Sequence, residues 1–225
     1  MNIIVTGAGK GIGFELVKLF SANQDHHIIG ISRDISKLEQ LPDNVTSYSF
    51  DLEKLPSEDL TDIVNTLFED GIDILINNAG FLVNKPYHQL TELDFNQMMT
   101  VNLKAPHLMI QSLLSQFKKG AHVVNISSMG GFPGSSKFPG LSLYSTFKGA
   151  LCSLTECLAE ELKEQQISVN ALCLGAVQTE MLNQAFPGYQ AQNSPEEMAK
   201  YIVDFATTGA KYFNGKIIPV SSTTP

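Results

Sequence analysis

Apolar residues along the chain gather in short runs, separated by longer stretches in which they recur every three or four positions. The runs are Asn2 to Thr6, Ile28 to Ser32, Val45 to Phe50, Ile72 to Ile76, His122 to Ser127, Ile167 to Cys173 and Lys216 to Val220. Each has the length of a strand and is apolar on both faces, as expected where helices cover both sides of a sheet. The intervening stretches read as helices. The first places Leu16, Val17, Leu19 and Phe20 on one stripe, and one from about Leu143 to Gln165 does the same with Leu151, Leu154, Leu158 and Leu162, so both stripes are expected in the core. Ser194-Pro195-Glu196-Glu197 combines an N-cap serine, a proline at the first helical position and a capping-box glutamate, which predicts a further helix start. Seven strands alternating with helices predict an α/β fold: a doubly wound, mainly parallel sheet with helices on both faces, in a single domain over 1–225. Gly130 to Leu141, GGFPGSSKFPGL, predicts a surface loop.

The first strand runs into TGAGKGIG, Thr6 to Gly13. Between a strand and a helix, glycines let the backbone approach a pyrophosphate, whose charge meets the unpaired N–H groups of the helix N-terminus. Gly7, Gly11 and Gly13 are placed for this. The spacing is GxxxGxG, with Ile12 where the GxGxxG fingerprint needs its third glycine, and a bare turn of this kind also serves conformation alone. Lys10-Gly11-Ile12 lacks the GK[ST] ending of a P-loop. At the end of the second strand, Ser32 stands where an NAD site carries a carboxylate for the ribose 2′-OH. Arg33, with Lys10 as a second cation, can pair with a 2′-phosphate instead. NADP(H) is therefore the expected cofactor. Asp34 keeps NAD(H) open as the less favoured alternative, because a strand ending one residue later brings its carboxylate to the ribose.

Tyr144 and Lys148 lie four residues apart on a predicted helix and so share one face. A nearby ammonium favours the phenolate and lowers the tyrosine pKa, which suits proton transfer near neutral pH. The pair alone recurs by chance, and Tyr144 also reads as an amphipathic surface residue.

With TGAGKGIG, Asp51-Leu52, Asn77-Asn78-Ala79-Gly80, Asn102, Asn125-Ile126-Ser127-Ser128 and Tyr144 with Lys148 in this order, the sequence resembles the short-chain dehydrogenase/reductase family over nearly its whole length. The resemblance implies a Rossmann-type fold and an oxidoreductase that transfers a hydride between NADP(H) and a carbonyl or secondary alcohol. It implies a catalytic set in which Tyr144 is the general acid/base, Lys148 binds the nicotinamide-ribose hydroxyls, Ser128 hydrogen-bonds the substrate oxygen and Asn102 anchors a proton-relay water. The cofactor is then expected to meet Ile12 in the glycine turn, Asp51 and Leu52 at the adenine, Asn78, Ala79 and Gly80 along the cleft, and Gly175, Val177 and Thr179 after the sixth strand.

Departures from the family pattern bear on the substrate. The Ser128-to-Tyr144 loop is longer than usual, which brings Phe132, Phe138 and Leu141 into consideration as substrate contacts and leaves Ser135 or Ser136 as a substitute for Ser128. Leu174 replaces the usual proline, and the substrate-lid segment at about 175–206 is short. Phe81 and Met181, with Leu82 and Val83, lean toward a partly hydrophobic molecule. The alternative function is an NADP(H)-sensing regulatory or signalling protein with little turnover.

Composition narrows the setting. With 43% hydrophobic and 17% charged residues and no apolar run of membrane-span length, a soluble protein is expected. A net charge of -8 without clustered Lys or Arg argues against nucleic acid, and MNIIVTG has no signal-peptide pattern. A cytoplasmic enzyme with a small-molecule partner follows, with no nucleic acid and no membrane. By resemblance it is a homodimer or homotetramer, with Met98, Leu108, Phe147 and Cys157 on the helices concerned. Cys152, Cys157 and Cys173 show no CxxC spacing, and His26, His27, His88, His107 and His122 show no metal spacing, so reduced, mostly buried thiols and no metal are expected.

Overall fold

The computed structural model describes residues 1–222. All seven apolar runs form strands: β1 Asn2–Thr6, β2 His27–Ser32, β3 Val45–Ser49, β4 Ile72–Asn77, β5 Phe117–Ser128, β6 Ser168–Leu174 and β7 Ile217–Val220. They make one sheet in the order β3-β2-β1-β4-β5-β6-β7, and every pairing is parallel. The helices are α1 Gly11–Ser21, α2 Glu58–Leu67, α3 Glu92–Met99, α4 Ala105–Ser112, α5 Ser142–Glu161, α6 Glu180–Ala185 and α7 Pro195–Thr208. A π-helical turn, Thr100–Lys104, joins α3 to α4.

Alternation along β1 divides the core into two layers. Ile3 and Val5 pack with Leu16, Val17 and Phe20 of α1 and with Ile202 and Phe205 of α7. Ile4 points the other way, to Leu60 and Val64 of α2 and Met109 of α4. Full burial of such side chains contributes roughly 1.5–3 kcal/mol each, which holds this interior strand between the two helical layers.

The expected helical stripes are narrower than the sequence pattern. Leu16, Val17, Phe20, Leu151 and Leu162 are buried, whereas Leu19, Leu154 and Leu158 are only partly covered. The Ser194–Glu197 capping box forms as expected. The helix it starts, α7, belongs to the core: Met198, Ala199, Ile202, Phe205 and Ala206 are buried in one cluster with residues of α1. β5 begins five residues before the expected His122. Phe117 pairs with Ile72, and the ladder is interrupted before His122, where polar Lys118, Lys119 and Gly120 break the apolar pattern. The three thiols are free, with Cys152 and Cys173 buried and Cys157 exposed. Among the described residues no helix is long and apolar enough to cross a membrane.

Because all strands are parallel, their C-terminal ends share one edge of the sheet. Connections leave in opposite directions on either side of the β1/β4 pair, and such a switch point opens a crevice. A cleft of about 590 Å³ lies there, running from the ends of β2 and β3 to the end of β6.

Candidate active site

The glycine turn is shaped by its neighbours. Gly7 and Gly11 have φ of +67° and +56°, the left-handed region that side chains disfavour. A Cβ on Gly7 would stand 2.7 Å from Ala79 Cα, one on Gly9 2.5 Å from Ser32 Oγ, and one on Gly13 2.5 Å from Asn78 Nδ2. Asn78 locks this contact by donating from Nδ2 to the carbonyls of Thr6 (3.0 Å) and Gly7 (3.2 Å), while Thr6 Oγ1 accepts from the backbone N–H groups of Asn78 and Ala79. No side chain caps α1, and no acidic residue lies in its first turn. Its N-terminal N–H groups therefore face the cleft with a partial positive charge, which fits a phosphate. Gly9 was not among the expected residues, although its place in the turn would have suggested it.

At the far end of this half, Ser32, Arg33, Asp51 and Leu52 line the cleft. Arg33, the sole arginine of the chain, is exposed there and makes no ion pair among the described residues. Asp34 does not line the cleft. Its carboxylate accepts from Ser36 N at 3.0 Å, a bond that also lowers its pKa. Asp51 caps a turn by accepting from Glu53 N at 3.1 Å. Lys10 reaches the cleft but pairs with Glu180, at the start of α6, at 2.8 Å.

The other half carries the hydroxyl groups. Ser128 ends β5, where its Oγ accepts from Gly130 N at 3.2 Å, and it lines the cleft together with Tyr144, whose pKa it acts to lower. Lys148, one turn along α5, is buried; its Nζ donates to Ile126 O at 2.8 Å and lies 5.9 Å from the centre of the Tyr144 ring. Burial lowers Lys148 to about 8 and raises Tyr144 to about 12, the latter opposed by Ser128. The expectation that the ammonium lowers the tyrosine is thus reversed: Lys148 bonds a carbonyl under the ring rather than the hydroxyl, and loss of solvent dominates.

α5 is keyed to the sheet by a buried polar chain, in which Asn77 Nδ2 donates to Asn125 Oδ1 (2.8 Å) and Asn125 Nδ2 to Thr155 Oγ1 (2.9 Å). Asn102, in the π-helical turn, is wholly buried and does not line the cleft. Its Nδ2 donates to Phe81 O (2.7 Å) and Met98 O (2.9 Å), and its Oδ1 accepts from Phe81 N (3.2 Å). It thereby holds Gly80 and Phe81 beside Lys148: a Cβ on Gly80 would stand 3.4 Å from Asn102 Oδ1 and 3.6 Å from Lys148 Nζ.

Of the remaining expected residues, Gly7, Gly11, Ile12, Asn78, Ala79, Gly80, Gly175, Val177, Thr179, Phe81, Phe138, Leu141 and Met181 line the cleft. Gly13 lies beneath the turn, packed on Gly7 and Asn78. Phe132 is turned away and packs on Cys152, Ala171, Cys173 and Ile217, because the loop folds back on itself there. Ser135 donates to Met129 O and Phe132 O within that fold and does not line the cleft, nor does Ser136, which leaves Ser128 as the partner of Tyr144. Phe186 and Tyr189 also line the cleft and were not foreseen; flanking Pro187-Gly188 after α6, they are the aromatic residues of a turn, a signal the sequence did carry.

A phosphate cradle and a polarising hydroxyl pair at opposite ends of one crevice define a dinucleotide-dependent oxidoreductase of the doubly wound α/β class. Residues 1–190 match the model of the short chain dehydrogenase family, and the chain belongs to the short-chain dehydrogenase/reductase family, as an NAD(P)-dependent oxidoreductase. It is 31% identical over 237 aligned positions to 3-oxoacyl-[acyl-carrier-protein] reductase FabG of Aquifex aeolicus, covering 97% of this chain and 94% of that one. It is 28% identical to mouse (Mus musculus) dehydrogenase/reductase SDR family member 4, covering 99% and 86%. Among solved structures, 3-ketoacyl-(acyl-carrier-protein) reductase from Brucella melitensis complexed with NADH superposes with a TM-score of 0.84 at 25% identity, over 97% and 96% of the two chains. 4-Hydroxyisoleucine dehydrogenase complexed with NADH gives 0.84 at 23%, over 98% and 96%, a likeness of fold.

Proposed function

We propose that the chain interconverts a ketone or aldehyde and the corresponding alcohol with NADP(H). The observation that carries this reading is that Ser128 and Tyr144 line one cleft, with the Lys148 ammonium buried beside the Tyr144 ring, 5.9 Å from its centre. When bound, the dinucleotide supplies or accepts the hydride. Its pyrophosphate is held by the Gly7–Gly13 turn and the open end of α1, and its adenine by Asp51 and Leu52. Asn78 to Gly80, Gly175, Val177 and Thr179 face its nicotinamide half, and Lys148 takes the ribose hydroxyls. Preference for NADP(H) rests on Arg33, unpaired and in the cleft, and on Asp34, turned toward Ser36. Solved relatives that hold NADH make this preference a property to be tested on this chain.

For reduction, the carbonyl oxygen sits between Ser128 Oγ and Tyr144 Oη and accepts from both as negative charge develops. A pKa near 12 keeps Tyr144 protonated at neutral pH, so it is ready to give its proton to the forming alkoxide. Asn102 acts by position, fixing Gly80 and Phe81. We assign the relay water that the resemblance gives it to a backbone carbonyl of the π-helical turn, since both side-chain N–H groups are engaged and the side chain does not line the cleft. On the outer side, Phe95 stays exposed against Phe147 and Leu93 is exposed on the same helix, and we place a homo-oligomer contact there.

Titration with NADPH and with NADH, followed by the nicotinamide's own fluorescence, tests the reading directly because the chain has no tryptophan. The expected result is tight NADPH binding and much weaker NADH binding, with NADPH consumed on a carbonyl panel. Preference for NADH moves selectivity to Asp34, binding of neither ends the reading, and binding without turnover favours the sensing role.

A further inference from the structure

The half of the cleft around Ser128 and Tyr144 is walled by Met129, Phe138, Leu141, Met181, Leu182 and Phe186. The cations and anions nearest this wall are already engaged. Lys137, beside Phe138, directs its ammonium into its own loop and donates to Gly130 O (2.8 Å), Phe132 O (2.9 Å) and Ser135 Oγ (2.8 Å), which uses all three of its donors. Lys85 donates to both carboxylate oxygens of Asp94 at 2.8 Å, and Lys10 is paired with Glu180 at 2.8 Å. Among the described residues lining the cleft, Lys148 stands within this half, its ammonium on Ile126 O, and the mutually paired Lys10 and Glu180 lie at its edge next to Met181.

A substrate carboxylate, phosphate or ammonium would therefore lose its water here without gaining a partner, which is strongly unfavourable. The walls are also tied to each other: Asn84 Nδ2 donates to Ala185 O of α6 at 2.8 Å, and Lys85 N to Gly140 O at 3.2 Å. These bonds join the segments after β4, β5 and β6 into one frame around the apolar space.

We infer that the substrate is an uncharged carbonyl compound, or its alcohol, with an apolar body beyond the reacting carbon, and that Phe138 is the aromatic side chain that covers it. Phe138 is 52% exposed, and a ring laid over it would remove that surface from water. The inference rests on the carbonyl oxidoreduction proposed above. It separates this site from 4-hydroxyisoleucine dehydrogenase, whose name specifies an amino acid, a molecule with a charged carboxylate and ammonium.

The test uses the full chain with NADPH and a matched pair of ketones, para-methylacetophenone and para-acetylbenzoate, which differ in a methyl against a carboxylate. The expected kcat/KM favours the neutral ketone by about a hundredfold, the scale of leaving one buried polar group unpaired. Equal or better use of the carboxylate overturns the inference. So does turnover confined to charged ketones of other shapes, which would leave the oxidoreductase reading standing. Turnover of no carbonyl at all, with NADPH bound, overturns both. Phe138→Ala is expected to raise KM for the neutral ketone about tenfold, and Phe138→Leu to recover most of it, as for loss and partial return of one apolar contact. A KM unmoved in Phe138→Ala removes Phe138 from the site.

Discussion

The two halves of the cleft are built by different means. Over β1, β2 and β3 the shape is made by backbone: three glycines sit where a methyl group has no room, and the positive charge comes from peptide N–H groups, with Arg33 at the margin. Over β4, β5 and β6 it is made by side chains on three loops, mostly apolar, around two hydroxyls. A backbone cradle tolerates almost no substitution and reads charge. A side-chain wall can be recut one residue at a time while the sheet beneath stays intact, and we propose that substrate choice resides there.

Removing one oxygen breaks the chemistry on the side-chain half and leaves the cradle whole. Tyr144→Phe is expected to lower kcat about a thousandfold, the scale of a lost general acid, with NADPH affinity within about twofold of the parent; steady-state kinetics and a fluorescence titration check the two parts. The reverse break is Gly7→Ala. The left-handed backbone costs about 1–2 kcal/mol, and the methyl meets Ala79, so NADPH binding should weaken about tenfold or more and Tm should fall by about 5 °C. Should Gly7→Ala bind NADPH normally, the turn is not the phosphate cradle.

Arg33→Ala sharpens the comparison within the cradle. A charge-assisted bond is worth about 1.5–3 kcal/mol, so NADPH should weaken by about ten- to a hundredfold while NADH changes little. An equal loss for both cofactors would move 2′-phosphate reading away from this residue.

The smallest effect concerns Lys148, where the two halves meet. Burial lowers it to about 8 from 10.5, so between those values the unfolded chain holds one more proton than the folded one, and stability rises with pH. Its contribution is complete above about 10.5 and is lost as pH falls through about 8, a change of at most roughly 3 kcal/mol. Thermal unfolding of the parent and of Lys148→Met across this window should show the pH-dependent gain only in the parent, and the variant should be the more stable at neutral pH. Parallel curves for the two proteins would mean that Lys148 is not desolvated as its burial implies.

What the sequence disclosed was whatever depends on short spacing. The seven strands, the glycine turn, the Ser194 capping box and the Tyr144–Lys148 face each follow from residues a turn or a strand apart, and all are present. What it concealed depends on distant partners. Lys10 meets Glu180 across 170 residues of sequence, which no local pattern announces. Phe132 looked like a cleft residue because its loop is polar and glycine-rich, yet Ser135 and Lys137 bond back to the loop carbonyls and send the ring to Cys152 and Cys173. The tyrosine pKa failed for a similar reason: spacing gives the neighbour, and only packing gives the water that is lost.

The contact between Gly7 and Ala79 also has a consequence for how the protein is made. The glycine motif leaves the ribosome before β4 does, but the cradle is completed only when β4 has joined β1 and Asn78 has closed over Thr6 and Gly7. A nascent chain that ends before β4 therefore carries the motif without the site. Once that pairing is made, any dinucleotide in the cell that binds the cradle adds its binding free energy to the folded side of the equilibrium, so nucleotide supply is expected to influence the yield of native protein during synthesis.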